Sequence, residues 1–371
     1  MKQHLYPKQI TDALATVRYP GTGKNIVESG MVEDDLRIDG NKVSFSLIFD
    51  RPTDPFIKSI VKAAETAILT YVGEDVDIKG NINVKTRQTT VTQPEPERPL
   101  KGVKNIIGIS SGKGGVGKST VSSNLAVSLA RLGYKVGLLD ADIFGPSVPK
   151  MFGVEDAELY IHEVDGRNLI IPHERYGVKL LSIGFLVNRD SAQVWRGGMA
   201  SRALSQLITD GDWGELDYVL IDMPPGTSDI HLTLVQTIAM TGAVVVSTPQ
   251  EVALADARRG IAMFRDKNIN VPILGLVENM AWFTPEKHPD EKYYIFGQDG
   301  GVKLAEELGV RLLGQIPVVM SVRQGGDDGK PVALGDTVTA QAFLHVAREL
   351  TEAVDQRNNE LPPTQVVKVK H

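Results

Sequence analysis

The sequence predicts an α/β protein with a mostly parallel sheet, preceded by a small α+β domain. From residue 101 onward, short apolar runs typical of buried strands alternate with segments of helical periodicity. A glycine-rich loop at residues 112–120 joins the first of these strands to the first helix. A polar stretch with three prolines, at residues 89–99, separates this region from the first 86 residues and is typical of an extended linker.

These features divide the chain into an α+β domain at residues 1–86, a linker at 87–101, a P-loop domain at 102–356 and a polar tail at 357–371. In the first domain we expect helices at residues 10–17 and from Asp54 onward. We expect strands there at residues 42–49 and 76–84. Further strands are expected at residues 104–110, 135–140, 178–185, 218–222, 243–247, 272–279 and 312–316. Helices are expected at residues 121–132, 252–267 and 338–355, the second turning Val252, Ala255, Ile261 and Phe264 toward the sheet.

The composition of the chain limits where in the cell we expect the protein and which partners we expect it to bind. A formal net charge of -6 gives no electrostatic reason to expect nucleic acid. The sequence shows neither a signal peptide nor an apolar run long enough to cross a bilayer, so we expect a cytoplasmic protein without a membrane partner. The chain contains no cysteine, which removes disulfides, thiol nucleophiles and thiolate metal ligands.

The loop Gly112-Lys113-Gly114-Gly115-Val116-Gly117-Lys118-Ser119, followed by Thr120, matches the pattern of a phosphate-binding P-loop. Glycines let backbone N–H groups approach an anion, and the following helix directs its positive end toward the phosphates. Lys118 is predicted to contact the β- and γ-phosphates, and Ser119 to bind Mg²⁺. A turn that binds nothing is the alternative, and the strand and helix on either side disfavour it. We expect the loop to bind ATP.

Acidic residues end two of the predicted strands. Asp222 ends an apolar strand, which is the Walker B pattern, and is expected to hold Mg²⁺ beside Ser119. Its alternative role is that of a helix cap. Asp140 and Asp142 end the strand after the P-loop helix, where one could activate the attacking water and the other tune Mg²⁺. A solvated turn is the alternative for this pair.

The second lysine of the loop, Lys113, makes it resemble the deviant Walker A motif of the MinD, ParA and nitrogenase iron protein superclass. In that superclass the extra lysine reaches across a dimer interface to the partner's nucleotide. The resemblance therefore implies a homodimer formed through the nucleotide face, with Lys113 acting in catalysis. An ordinary surface lysine is the alternative.

Longer motifs resemble the Mrp/NBP35 (ApbC-like) family of ATP-dependent iron-sulfur cluster carriers. They are the segments Asp140-Ala141-Asp142-Ile143-Phe144-Gly145-Pro146-Ser147, Trp195-Arg196-Gly197, Ile221-Asp222-Met223-Pro224-Pro225-Gly226-Thr227, Glu278-Asn279-Met280 and Ile295-Phe296-Gly297. The resemblance implies that Asp142 activates water, that Asp140 lies near the metal, and that Asn279 and Pro317 lie at the adenine. It assigns no role to Arg196. The first domain resembles MIP18-like domains, although Tyr19-Pro20-Gly21 replaces their usual D-P-E.

The sequence departs from that family after Asn279. A C-x-x-C pair that bridges a cluster is usual there, but Thr284 and Lys287 occupy this spacing. Two hypotheses follow: an ATPase that serves iron-sulfur cluster transfer to apoproteins, with clusters held by another protein, or a MinD/ParA-like switch that never handles iron. A scaffold without turnover is a third, disfavoured by Lys118, Asp142 and Asp222. Cluster binding by this chain rests on the resemblance alone.

Overall fold

The computed structural model describes residues 5–20, 22–49, 54–86, 99–186, 197–285, 288 and 290–366. The chain divides into two compact units, Met1–Pro96 and Glu97–His371. The predicted linker at residues 87–101 lies mostly outside the described residues.

The first unit is a three-stranded sheet with two helices. Its elements are α1 (Pro7–Leu14), β1 (Arg37–Asp39), β2 (Lys42–Phe49), α2 (Ile57–Tyr71) and β3 (Ile82–Thr86). β2 is central, antiparallel to β1 and parallel to β3. The central strand and both helices share one apolar core that includes Leu14, Phe45 and Ile68. The strand predicted at residues 42–49 is confirmed, whereas the last strand begins at Ile82 rather than at residue 76.

The second unit is built on an eight-stranded sheet. Its strands are β4 (Val103–Ser111), β5 (Val136–Asp140), β6 (Tyr160–Val164), β7 (Arg167–Ile171), β8 (His173–Arg175), β9 (Val178–Ser182), β10 (Leu216–Asp222), β11 (Gly242–Ser247), β12 (Ile273–Phe283) and β13 (Leu312–Val318). The order in the large sheet is β13-β12-β11-β4-β10-β5-β9-β8, and only the edge pair β8–β9 is antiparallel. β6 and β7 form a separate ribbon. The predicted, mostly parallel sheet is confirmed.

Helices cover both faces of this sheet. They are α3 (Lys118–Arg131), α4 (Val148–Met151), α5 (Gly197–Thr209), α6 (Asp229–Thr237), α7 (Glu251–Arg265), α8 (Gly300–Leu308), α9 (Met320–Asp327) and α10 (Val338–Glu360). Along β10, Tyr218 and Leu220 pack with α3 and α10, while Val219 and Ile221 pack with α5 and α6. This alternation buries both faces of the strand, which explains its continuous apolar run.

Two expectations about the helices were wrong. In α7, Val252 and Ala255 are exposed, and Ala253, Leu254 and Ala257 take the buried positions. Ile261 and Phe264 are buried as expected, so the expectation fails only in the N-terminal half of α7. α10 continues to Glu360, so the first four residues of the predicted polar tail are helical. Among the described residues, no helix is both long and apolar enough to span a membrane.

Candidate nucleotide site

The P-loop lies between the end of β4 and the start of α3, at the carboxyl edge of the parallel strands. Gly117 has φ 82°, a conformation that suits glycine, and α3 begins at the next residue. Gly112 packs against the backbone of α7, because a Cβ there would stand 2.1 Å from the carbonyl carbon of Asp256. Gly114 and Gly115 face open space. The loop is thus held at its base and open at its tip.

Lys118 is buried between two carboxylates. Its Nζ lies 2.9 Å from Oδ1 of Asp222 and 3.4 Å from Oδ2 of Asp142, and the side chain is 6% exposed. The helix start and the ends of β5 and β10 therefore bring together three residues that are far apart in the sequence. A buried cation needs such partners, and in this chain they are the predicted catalytic and metal-binding aspartates.

The hydroxyl of Ser119 and the carboxylate of Asp222 lie close enough together to bind one hard cation such as Mg²⁺. The Ser119 hydroxyl donates to Oδ2 of Asp222 at 2.5 Å, and the Ser122 hydroxyl donates to Oδ1 at 2.9 Å. Mg²⁺ prefers oxygen ligands of these types, so the side chains of Ser119 and Asp222 fit the metal, and their binding of it stays a prediction. Within the described part of the chain, no group of three His, Asp or Glu side chains is arranged to enclose a metal ion. Phosphate oxygens and water would complete such a shell.

Asp140 organises the chain that leaves β5. Its carboxylate accepts hydrogen bonds from the backbone N–H of Asp142 at 3.1 Å and of Val148 at 3.2 Å, and from the Ser182 hydroxyl at 3.0 Å. Complete burial, followed by the nearby charge of Asp222, raises the pKa of Asp140 to about 8. These contacts make Asp140 the anchor of the loop 141–148. Its contact with the metal stays a prediction.

Asp142 is placed differently from Asp140. It is 8% exposed, and Oδ1 accepts from the backbone N–H of Phe144 at 3.2 Å. Burial raises the pKa of Asp142, while the adjacent Lys118 acts to lower it. A carboxylate with a raised pKa beside the lysine that is predicted to bind phosphate is suited to accept a proton.

A cavity of about 350 Å³ opens beside the P-loop. Its wall includes the predicted base-contacting residues Asn279 and Pro317, together with Gly117 and Thr120. The Asn279 amide donates to the carbonyl of Val116 at 2.8 Å, so β12 is tied directly to the loop. The structure brings both predicted residues to one cavity. Their contact with adenine stays a prediction.

Two buried polar side chains of the P-loop domain were given no role in the sequence analysis. His231, 1% exposed, accepts through Nδ1 from the Ser228 N–H at 3.2 Å, and burial lowers its pKa to about 4. Glu278, fully buried, accepts from the N–H of Gly301 at the start of α8 and from the Gln315 amide at 2.8 Å. The sequence feature that could have pointed to His231 is its position three residues after a serine, which is the spacing of a helix capping box.

The segment where the family usually has cysteines follows the end of β12. Phe283 and Tyr293 exchange backbone hydrogen bonds of 2.8 and 2.9 Å and form an isolated antiparallel pair. Tyr293, Tyr294 and Ile295 are exposed. Lys287, Trp195 and Arg196 lie outside the described residues. Thr284 is described, and its N–H points to the carbonyl of Val318 at 3.4 Å.

The fold and this site together define a P-loop nucleotide-binding protein. Residues 102–351 match the family described as NUBPL iron-transfer P-loop NTPase, and residues 7–79 match the family described as iron-sulfur cluster assembly protein. The first match covers more than half of the chain. The chain therefore belongs to the NUBPL iron-transfer P-loop NTPase family, and the resemblance seen in the sequence is confirmed.

Individual relatives agree with this assignment. An iron-sulfur cluster carrier protein of Synechocystis sp. is 43% identical over 352 residues, which cover 93% of this chain and 98% of that protein. A protein of the same name from Deinococcus radiodurans is 42% identical over 356 residues, or 94% and 96% of the two chains. Among solved structures, a nucleotide-binding protein of Archaeoglobus fulgidus in complex with ADP is 36% identical. It has a TM-score of 0.57 and covers 66% of this chain and 95% of its own.

Proposed function

We propose that the protein binds and hydrolyses Mg-ATP and uses this reaction to promote iron-sulfur cluster transfer to apoproteins. The observation that carries the proposal is the buried contact of Lys118 with Asp142 and Asp222 at the start of α3. This arrangement joins a phosphate-binding lysine, a proton acceptor and a metal-binding carboxylate at one helix N-terminus.

The residues act as follows. Backbone N–H groups of residues 112–119 bind the phosphates, and Lys118 turns from its carboxylate partners toward the β- and γ-phosphates. Ser119 and Asp222 would hold Mg²⁺, which would supply positive charge for the phosphates. Asp142 accepts the proton of the attacking water, and Asp140 holds the loop that carries Asp142. Asn279 and Pro317 line the cavity that receives the adenine.

The iron-sulfur cluster is what the proposed reaction transfers. This chain contains no cysteine, so thiolates of this chain do not hold the cluster. Iron-sulfur clusters are held almost always by thiolates, with histidine an occasional replacement. We therefore place the cluster on the donor and acceptor proteins. ATP binding changes the surface that these proteins contact. The Synechocystis and Deinococcus relatives are named cluster carriers, which supports a role in transfer over a switch that never meets iron.

A transfer assay tests this proposal. The full chain is first incubated anaerobically with iron and sulfide, and we expect no bound cluster, by iron content and visible absorption. It is then mixed with a cluster-loaded donor and an apo-ferredoxin, with and without Mg-ATP. We expect Mg-ATP to accelerate transfer in the wild type and not in Lys118→Met, which loses the phosphate-binding charge.

The matched control is Lys104→Met, which removes an exposed lysine from the other end of β4. This variant should behave as the wild type. ATP hydrolysis without any effect on transfer would support the switch alternative. A cluster bound stoichiometrically to the isolated chain would contradict our placement of the cargo.

A further inference from the structure

A second cavity, of about 640 Å³, lies at the edge of the sheet opposite the nucleotide site. We refer to it as the basal cavity. It is lined by residues around the start of β4, among them Val103 and Lys104, and by the chain that follows α10. β4 spans nine residues from Val103 to the P-loop, so about 25 Å separate the basal cavity from the phosphates. The basal cavity is therefore distinct from the nucleotide site.

The charged residues that line the basal cavity all have one sign. They are Lys101, Lys104 and Arg357, and no aspartate or glutamate is among the described lining residues. Lys104 is largely exposed and pairs with Asp217 at 2.8 Å. Arg357, in contrast, is 9% exposed. The buried charge of the cavity is thus the guanidinium of Arg357.

The partners that accept hydrogen bonds from this guanidinium in the described part of the chain are all neutral. It donates to the carbonyl of Pro362 at 2.7 Å, to Oγ1 of Thr364 at 2.8 Å and to Oδ1 of Asn358 at 3.1 Å. Its Nε has no partner, and no acidic side chain in the described ranges forms an ion pair with it. Burial of a charge is costly unless an opposite charge compensates it. Among the described residues, no counter-charge therefore compensates this cation.

We propose that the basal cavity binds a small organic carboxylate whose negative charge pairs with Arg357. The apolar body of the ligand lies against the apolar part of the wall, formed by Leu100, Ile106 and Leu361. One buried cation matches a single negative charge, and the mixed wall excludes a ligand that is charged over its whole surface. The ligand class is thus a monocarboxylate with a short apolar chain.

Calorimetric titration of the ADP-saturated full chain tests this site. The probes are hexanoate and hexanamide, which share their apolar chain and differ in charge. We expect hexanoate to bind about tenfold more tightly, the size of a hydrogen bond to a charged group. Equal affinity of the wild-type chain for hexanoate and hexanamide would by itself overturn the proposal.

Two variants and one control test whether hexanoate binds in the basal cavity. Arg357→Met keeps the length of the side chain and should remove the preference for hexanoate, whereas Arg348→Met, an exposed arginine of the same helix, should keep it. Ala239→Phe adds bulk at another residue of the cavity wall and should abolish binding, so the test stands even if Arg357→Met fails to fold. Unchanged hexanoate binding in Arg357→Met or in Ala239→Phe would overturn the assignment.

Discussion

At the residue scale, the nucleotide site depends on how burial and charge are divided among three aspartates. Asp222 and Asp140 are fully enclosed, but Asp222 contacts Lys118 and two hydroxyls, whereas Asp140 holds backbone N–H groups. Asp142 retains a small exposed fraction beside the same lysine. Identical side chains thus lie in different surroundings, and these differences are the basis on which we propose a metal-binding, a positioning and a proton-accepting role for them.

Asp142→Asn should bind ATP with nearly wild-type affinity and hydrolyse it about a hundredfold more slowly. The amide keeps an oxygen for the Phe144 N–H but cannot take a proton from water. Binding is measured by fluorescent-nucleotide titration and hydrolysis by phosphate release. Asp165→Asn, in the exposed turn between β6 and β7, serves as the control and should match the wild type. Unchanged turnover in Asp142→Asn would remove Asp142 from catalysis.

His231 should make stability depend on pH below neutrality. Its folded pKa of about 4 lies below the usual 6.5, so the unfolded chain binds the proton more readily. The contribution of His231 to the free energy of unfolding is therefore complete above pH 6.5 and is lost as the pH falls toward 4. This loss amounts to about 3 kcal/mol.

The variant His231→Asn retains an acceptor for the Ser228 N–H and has no titrating group. Urea unfolding at pH 7 and pH 4.5 should show a smaller difference in the free energy of unfolding for this variant than for the wild type. His345→Asn, an exposed histidine of α10, is the control and should retain the wild-type difference. The same pH dependence in all three proteins would refute the assignment.

At the scale of elements, the P-loop is positioned by neighbours that the motif does not contain. α7 supports Gly112, β12 reaches the loop through Asn279, and the turn after β10 bonds back to β4 through the Gly226 N–H and the Ser111 carbonyl, at 2.9 Å. The loop therefore has defined contacts on three sides before any nucleotide binds.

The contact with α7 gives a matched pair of glycine variants. Gly112→Ala should destabilise the protein by about 1–3 kcal/mol and weaken ATP binding, because its Cβ would overlap the backbone at Asp256. Gly114→Ala adds the same methyl group in open space and should change the free energy of unfolding by less than about 0.5 kcal/mol. Thermal unfolding and nucleotide titration check both variants. Equal effects of the two would show that the contact with α7 is unimportant.

Much of this element-scale organisation could be predicted. The motif and its flanking strand and helix located residues 112–120 in the fold, because strand, loop and helix are adjacent along the chain. The buried face of α7 could be predicted only in part: Ile261 and Phe264 are buried as expected, whereas Ala253 and Leu254 are buried in place of Val252 and Ala255. Which side chains of the N-terminal half are buried is set by packing against strands that are distant in the sequence, which no local pattern records.

At the scale of the whole molecule, the open tip of the P-loop is relevant to the predicted homodimer. Lys113 is half-buried, and its carbonyl accepts from the Ser111 hydroxyl at 2.9 Å. No described side chain forms an ion pair with Lys113. We propose that its ammonium group reaches the nucleotide of a second copy, as the resemblance to the superclass implies.

Lys113→Ala should therefore lower ATP turnover by about tenfold or more, since a lysine that reaches the phosphates stabilises the charge of the transition state. Turnover per subunit should rise with protein concentration in the wild type and stay low and flat in the variant. Lys303→Ala, an exposed lysine of α8, should behave as the wild type. Turnover that is independent of concentration in the wild type would contradict a homodimer formed through the nucleotide face.

The sequence by itself determined the class of protein, since the P-loop, the strand-end aspartates and the alternation of strands and helices are local patterns. It also excluded thiolate ligands, because composition needs no fold. Only the tertiary structure decided which aspartates contact Lys118, that His231 is buried and that Arg357 has no acidic partner among the described residues. These properties depend on distances between residues up to about a hundred positions apart, and burial and pairing follow from the packing of the sheet and its helices.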